Sequence, residues 1–228
     1  MTFKIIQDYD EGLFHESILT FGCSFTSGPF LKAQDAIRSW PLYFSRMVSD
    51  NVINFAQGGS CLLYSIQQLE YIASLDIKPK FVFFQCTTYP RVSINPFIKP
   101  TFLVKKSHNY YQAGTSNLLT SNPSTIPNSA FTNYYKHFVI DNKLNETSIR
   151  AQVQYIHYLM QNFNGIVYAQ FPFDEYQGNV DFFISDELFE GWDDYHQHVI
   201  DNGSHLNRNA LLKQAEFLKT KFDKRVKV

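Results

Sequence analysis

Four short apolar runs, each followed by a helical pattern, constrain this chain more than any other feature. They are Ile18 to Phe21, Val52 to Ala56, Phe81 to Phe84 and Ile166 to Ala169. Each is too short for a helix and almost uninterrupted by polar residues, as strands buried on both faces require. Between and after them, apolar residues recur at helical spacing. Trp40, Tyr43, Phe44 and Met47 mark a helix over Trp40 to Val48. Leu62, Ile66, Leu69 and Ile72 mark a second. Ile149, Val153, Ile156, Met160 and Phe163 mark a third, and Leu211, Leu212, Ala215, Leu218 and Phe222 mark the last. Strand and helix in alternation predict an α/β fold: a central parallel sheet covered by helices on both faces.

At 228 residues the chain fits a single domain, 1–228. One stretch, about 92–146, breaks the alternation. It is rich in Asn, Ser, Thr, Pro and Tyr and reads as an irregular insertion, a lid or substrate loop. Aromatic residues make up 17% of the chain. Many fall in the strand-like runs, so most are expected in the core, and the remainder offers flat surface for a sugar or another planar ligand.

Lys and Arg number 20 against 21 Asp and Glu, a balance that gives no electrostatic argument for nucleic acid or an acidic membrane. No apolar run approaches the roughly 20 residues of a membrane span. Acidic residues at Asp8 and Asp10 interrupt the place where a secretory signal needs its apolar core, so a cytoplasmic protein is expected. Cys23, Cys61 and Cys86 are three, at spacings that match no metal site, and point to a reducing compartment without disulfides. The histidines outside the last loop (His15, His108, His137, His157, His196 and His198) form no metal motif, and no metal or other cofactor is expected.

In parallel sheets reactive groups gather at the C-terminal strand ends. The first run leads into Gly22-Cys23-Ser24, which sets a hydroxyl above the sheet edge. Taken alone, Ser24 is more often a turn or helix-cap serine. The second run leads into Gln57-Gly58-Gly59-Ser60, where glycine lets backbone N–H groups approach a ligand. The third leads into Cys86-Thr87-Thr88-Tyr89-Pro90-Arg91. Thr87 or Thr88 can donate a hydroxyl hydrogen bond, and Arg91 can orient an acidic substrate group or brace its loop. Before the last helix stands Asp201-Asn202-Gly203-Ser204-His205. An imidazole there can take a proton on one nitrogen while a neighbouring acceptor holds the other.

With these four blocks in order, the chain resembles the SGNH/GDSL hydrolase superfamily. The resemblance implies a flavodoxin-like three-layer α/β/α sandwich with a central parallel sheet, and hydrolysis of esters. Gly22-Cys23-Ser24 is similar to the first block, with Cys23 in place of the acid, and makes Ser24 the nucleophile and an oxyanion donor through its N–H. Asn54-Phe55-Ala56-Gln57-Gly58-Gly59 is similar to the second and makes Gly59 the second donor. Thr88 falls where the third block has asparagine, so a threonine hydroxyl would be the third donor. His205 matches the histidine of the last block. Strict spacing puts Asn202 at the acid position, with Asp201 one residue earlier; either can orient the imidazole. Tyr89 and Arg91 are the candidate substrate-binding residues.

The resemblance implies a small-molecule or carbohydrate ester as substrate, cleaved through an acyl-enzyme on Ser24. Two other readings stay open: acyl transfer to a sugar acceptor with the same residues, and a non-catalytic binding or structural module on the same fold. The sequence gives no reading of the oligomeric state.

Overall fold

The computed structural model describes residues 4–6, 11–27, 39–58, 60–87, 92–93, 102–105, 109–114, 120–121, 142–172, 176, 178–190, 192–199 and 205–226. Four of the sheet strands are those of the apolar runs: β2 (Ile18–Phe21), β3 (Val52–Asn54), β4 (Phe81–Cys86) and β9 (Gly165–Ala169). Every residue of β2, β3 and β4 is buried, which accounts for their lack of polar alternation. Adjacent residues serve opposite faces. Phe81 and Phe83 enter one core cluster, while Val82 and Phe84 enter the other.

The helices divide accordingly. α3 (Leu62–Ser74) and α4 (Asn142–Met160) cover one face through Leu62, Ile66, Leu69, Ile72, Val153 and Ile156. α2 (Trp40–Phe44) and α7 (Arg208–Val226) cover the other through Trp40, Phe44, Leu211, Ala215, Leu218 and Phe222. The result is the three-layer α/β/α sandwich expected from the sequence.

Much of the aromatic content lies in the second of these cores. Phe222 packs edge-on to Phe44 and Phe81, with ring centroids 5.7 and 5.2 Å apart, and Trp40 does the same to Phe83 at 5.3 Å. Burying each such side chain contributes about 1.5–3 kcal/mol relative to exposure. α2 is shorter than the Trp40 to Val48 reading. Ser39 caps its start, accepting from the Leu42 N–H, and the chain then tightens: Arg46 N–H bonds to the Tyr43 carbonyl and Met47 N–H to that of Phe44.

Among the described residues, six strands run parallel in the order β7-β3-β2-β4-β9-β10, where β7 is Tyr110–Gly114 and β10 is Phe182–Phe183. Beyond β7, β6 (Phe102–Lys105) and then β1 (Lys4–Ile6) add antiparallel. The stretch 92–146 is therefore not irregular throughout. It supplies β6 and β7 to the main sheet, and β5 (Val92–Ser93) pairs with β8 (Thr120–Ser121) in a small second sheet. α4 also begins inside it, at Asn142. Tyr110 and Gln112 face one side of the sheet and Tyr111 and Ala113 the other, but five residues set among Asn, Ser and Thr carry too little period to announce a strand.

The strands from β3 to β10 follow the doubly wound order in which the first strand, β2, lies between the second and the third, β3 and β4. The chain leaves β2 toward β3 and leaves β4 toward β9. Connections on either side of the β2–β4 boundary thus diverge, and in sheets of this order the crevice lies at the C-terminal ends of two such strands. Ser24 follows one of them and Thr87 the other.

Candidate active site

On the α2 and α7 face, the strands turn polar toward that crevice. Ile18 gives way to Thr20, Val52 to Asn54, Phe83 to Gln85 and Tyr168 to Gln170, all buried. The buried polar residues described include no Asp, Glu, Lys or Arg, so this layer consists of hydroxyls and amides. Fixed neutral dipoles of this kind can hold a loop without placing a formal charge in the core.

β2 runs into Gly22, whose φ of +150° disfavours any side chain. A Cβ there would stand 2.6 Å from Thr26 Oγ1 and 2.7 Å from Gln85 Oε1. Close packing as well as backbone conformation therefore requires glycine. Cys23 follows, fully buried, and its carbonyl accepts from the Thr26 and Ser27 N–H groups at 3.0 and 2.8 Å. This closes α1 (Ser24–Ser27), a single turn whose first residue is Ser24. Ser24 is 7% exposed and so almost wholly buried.

The second loop is tied to the first. Gly22 carbonyl oxygen accepts from the Gln57 N–H at 3.2 Å and from Ser60 Oγ at 3.1 Å. Asn54 organises the base of both. Its Oδ1 accepts from Thr20 Oγ1 at 2.9 Å and from the Ala56 N–H at 3.0 Å. Its Nδ2 donates to Tyr110 Oη at 3.0 Å and to Gln112 Oε1 at 3.1 Å. Gln112 returns the contact, donating from Nε2 to the Asn54 and Ala56 carbonyls at 2.8 and 3.1 Å. Burial pushes the Tyr110 hydroxyl up to about 12, against the opposing effect of its hydrogen bonds with Ser39 and Asn54. It stays protonated and donates to Gln112 Oε1 at 2.9 Å.

His205 arrives from the other end of the chain. Leu206, next to it, forms an isolated bridge with Val199, and Asn207 donates its N–H to the His198 carbonyl at 2.6 Å. Asn207 Oδ1 accepts from the Ala210 N–H at 3.0 Å and so caps α7. These bonds hold the half-buried imidazole beside the opening loop. Its ring lies against Phe25, centroids 5.4 Å apart, and Phe25 packs edge-on to Phe171 at 5.5 Å. The residue after Ser24 thus touches His205.

The sequence-based site falls in two parts. Ser24 and His205 are described and share one locality. Gly59, Thr88, Tyr89, Arg91, Asp201 and Asn202 lie outside the described residues. Cys23 sits in the apolar cluster with Trp40 and Phe83, and burial pushes the Cys86 thiol up, so neither sulfur is presented to the crevice as a nucleophile. Among the described residues, no three or more His, Cys, Asp or Glu gather as a metal set, and no helix is long and apolar enough to cross a membrane.

Asn54, Gln85 and Thr26 were not assigned roles from sequence. Their signal is position: Asn54 and Gln85 are amides at or next to the last residue of otherwise apolar strands, where a buried polar group must find a partner.

The sheet order, with β2 between β3 and β4 and helices on both faces, decides the architecture. The chain has an SGNH/GDSL hydrolase-like fold. A solved lipolytic protein of the G-D-S-L family from Veillonella parvula superposes with a TM-score of 0.50 at 13% identity, over 91% of this chain and 98% of that one. An acetyl xylan esterase from the rumen bacterium Butyrivibrio proteoclasticus superposes with a TM-score of 0.46 at 11% identity, over 93% of this chain and 65% of that one. By sequence, no family model and no curated protein matches the chain. At such identities the likeness concerns the SGNH/GDSL-like fold. Within it, β7 lies parallel on the outer side of β3 and contributes Tyr110 and Gln112 to the Asn54 network.

Proposed function

We propose that this protein is a serine esterase that cleaves a carboxylic ester through an acyl-enzyme on Ser24. Ser24 attacks the ester carbonyl, and His205 takes the hydroxyl proton and passes it to the leaving alcohol. The alcohol departs, water attacks the acyl-enzyme with His205 again as base, and the acid is released. The N–H groups of Ser24 and Gly59, with the Thr88 hydroxyl, stabilise the oxyanion. Asp201 or Asn202 orients the imidazole, and Tyr89 and Arg91 contact the substrate. An O-acyl group on a carbohydrate, or another small ester, is the substrate class.

One observation carries the reading: the ring of His205 rests on Phe25, the residue directly after the serine that opens α1 at the β2 strand end. The lipolytic function in the name of the Veillonella protein agrees with it. The test is turnover of a short-chain nitrophenyl ester together with labelling by a fluorophosphonate probe. Both are expected in the natural protein, and both should fall to background in Ser24→Ala. Equal turnover by that variant rejects the proposal.

The unusual third and last blocks, Thr88 and Asn202 at positions of asparagine and acid in the resemblance, favour a second reading as a non-catalytic module. A folded protein that resists the probe and turns over no ester selects it.

A further inference from the structure

A buried glutamine next to the end of an otherwise apolar strand needs a reason. Gln85 follows Phe81, Val82, Phe83 and Phe84 and is fully buried. Its Oε1 accepts a hydrogen bond from Thr26 Oγ1, and Thr26 is fully buried as well. Thr26 belongs to the single turn that begins at Ser24. A turn of four residues has too few internal bonds to hold its own orientation, so tertiary ties must fix it.

Three ties converge on it. Thr26 Oγ1 joins it to β4 through Gln85. The Thr26 carbonyl accepts from Asn54 Nδ2 at 3.5 Å, which joins it to β3. The hydroxyl and the amide also occupy the space left by the missing side chain of Gly22, with Gln85 Cβ at 3.0 Å from where a Cβ would stand. Ser24 lies between Gly22 and Thr26 in sequence, so the serine is held from both sides by one interlocked group. β3 and β4 are the two strands that flank β2.

We propose that Thr26 and Gln85 are positioning residues for Ser24: their hydrogen bond fixes the angle at which α1 presents the hydroxyl and the N–H of Ser24 to the crevice. The proposal rests on the reading of Ser24 as nucleophile. Misplacing a reacting group by about 1 Å costs up to roughly 100-fold in rate.

The test compares Thr26→Val, which keeps the shape and removes the donor, with Thr26→Ser, which keeps the hydroxyl. The rate of fluorophosphonate labelling should fall roughly 10- to 100-fold in Thr26→Val and recover most of the way in Thr26→Ser. Ester kcat should fall with little change in KM. Amide exchange in residues 23–27 should quicken in Thr26→Val alone. Gln85→Met should match Thr26→Val, and the double variant should be no worse than either, because both remove one bond. If Thr26→Val fails to fold, Gln85→Asn, which withdraws the amide by one methylene, carries the same measurements. A folded Thr26→Val or Gln85→Asn that labels at the natural rate with unchanged exchange overturns the proposal. Ser24→Ala separates the two readings: if it keeps turnover, Ser24 is not the nucleophile and the positioning role falls with it.

Discussion

The imidazole of His205 leans on the ring of Phe25 at an interplanar angle of 42°, although the two residues come from opposite ends of the chain. Phe25 is itself backed by Phe171, which meets Tyr195 edge-on at 5.2 Å. A row of rings therefore forms the wall against which the histidine rests.

Removing that wall should disturb both packing and chemistry. Phe25→Ala is expected to cost about 3–5 kcal/mol in urea unfolding, the range for a buried phenylalanine. It should lower ester kcat more than it raises KM, since it loosens His205 and leaves Ser24 intact. Phe25→Leu should fall between the two. Unchanged kcat in a folded Phe25→Ala would show that the ring contact has no part in holding the imidazole.

The turn after β2 should tolerate no side chain. Gly22→Ala combines an unfavourable φ with two contacts under 3.0 Å. The expected loss is about 2–6 kcal/mol, from backbone strain of about 1–3 kcal/mol and overpacking of similar size. Denaturant unfolding measures it, and a loss under about 1 kcal/mol would mean that Thr26 and Gln85 move aside freely.

Stability should decline in alkali in a way that depends on Tyr110. Its folded pKa of about 12 exceeds the ordinary value of 10.0 because burial disfavours the phenolate. The folded state thus holds its proton where the unfolded chain releases it. The contribution is fully present below pH 10 and is lost as pH rises toward 12, up to about 3 kcal/mol. Unfolding midpoints from pH 9 upward should fall less steeply in Tyr110→Phe, which has no phenol at this position to titrate. Parallel slopes for the two proteins would contradict this.

Asp201→Ala and Asn202→Ala, made separately, should identify the group that orients His205. One of them is expected to lower ester kcat by about 100-fold or more, the scale of general-base catalysis, and the other by much less. Rates unchanged in both would reject either as the orienting residue.

The strands β2, β3, β4 and β9 were legible because burial on both faces writes itself as an unbroken apolar run. The helices α3, α4 and α7 were legible through their 3.6-residue period. Less of the periphery could be read. β10 has only Phe182 and Phe183, too few to distinguish a strand from a loop, and β7 joins the sheet through pairing with β3 far away in sequence. The site divides similarly. Ser24 and His205 stand out because their residue types and places are chemically suggestive. Gln85, Thr26 and Tyr110 acquire meaning only from partners across the sheet, a relation that no local spacing encodes.

The added strands also determine what this molecule can lose. Excising residues 92–141 as a removable flap would strip the Val52–Asn54 ladder of its outer neighbour and leave its carbonyls and amides as a template on which another copy could zip. The same cut would take Tyr110 and Gln112 from Asn54, so trimming the periphery would unfasten the floor beneath the serine loop.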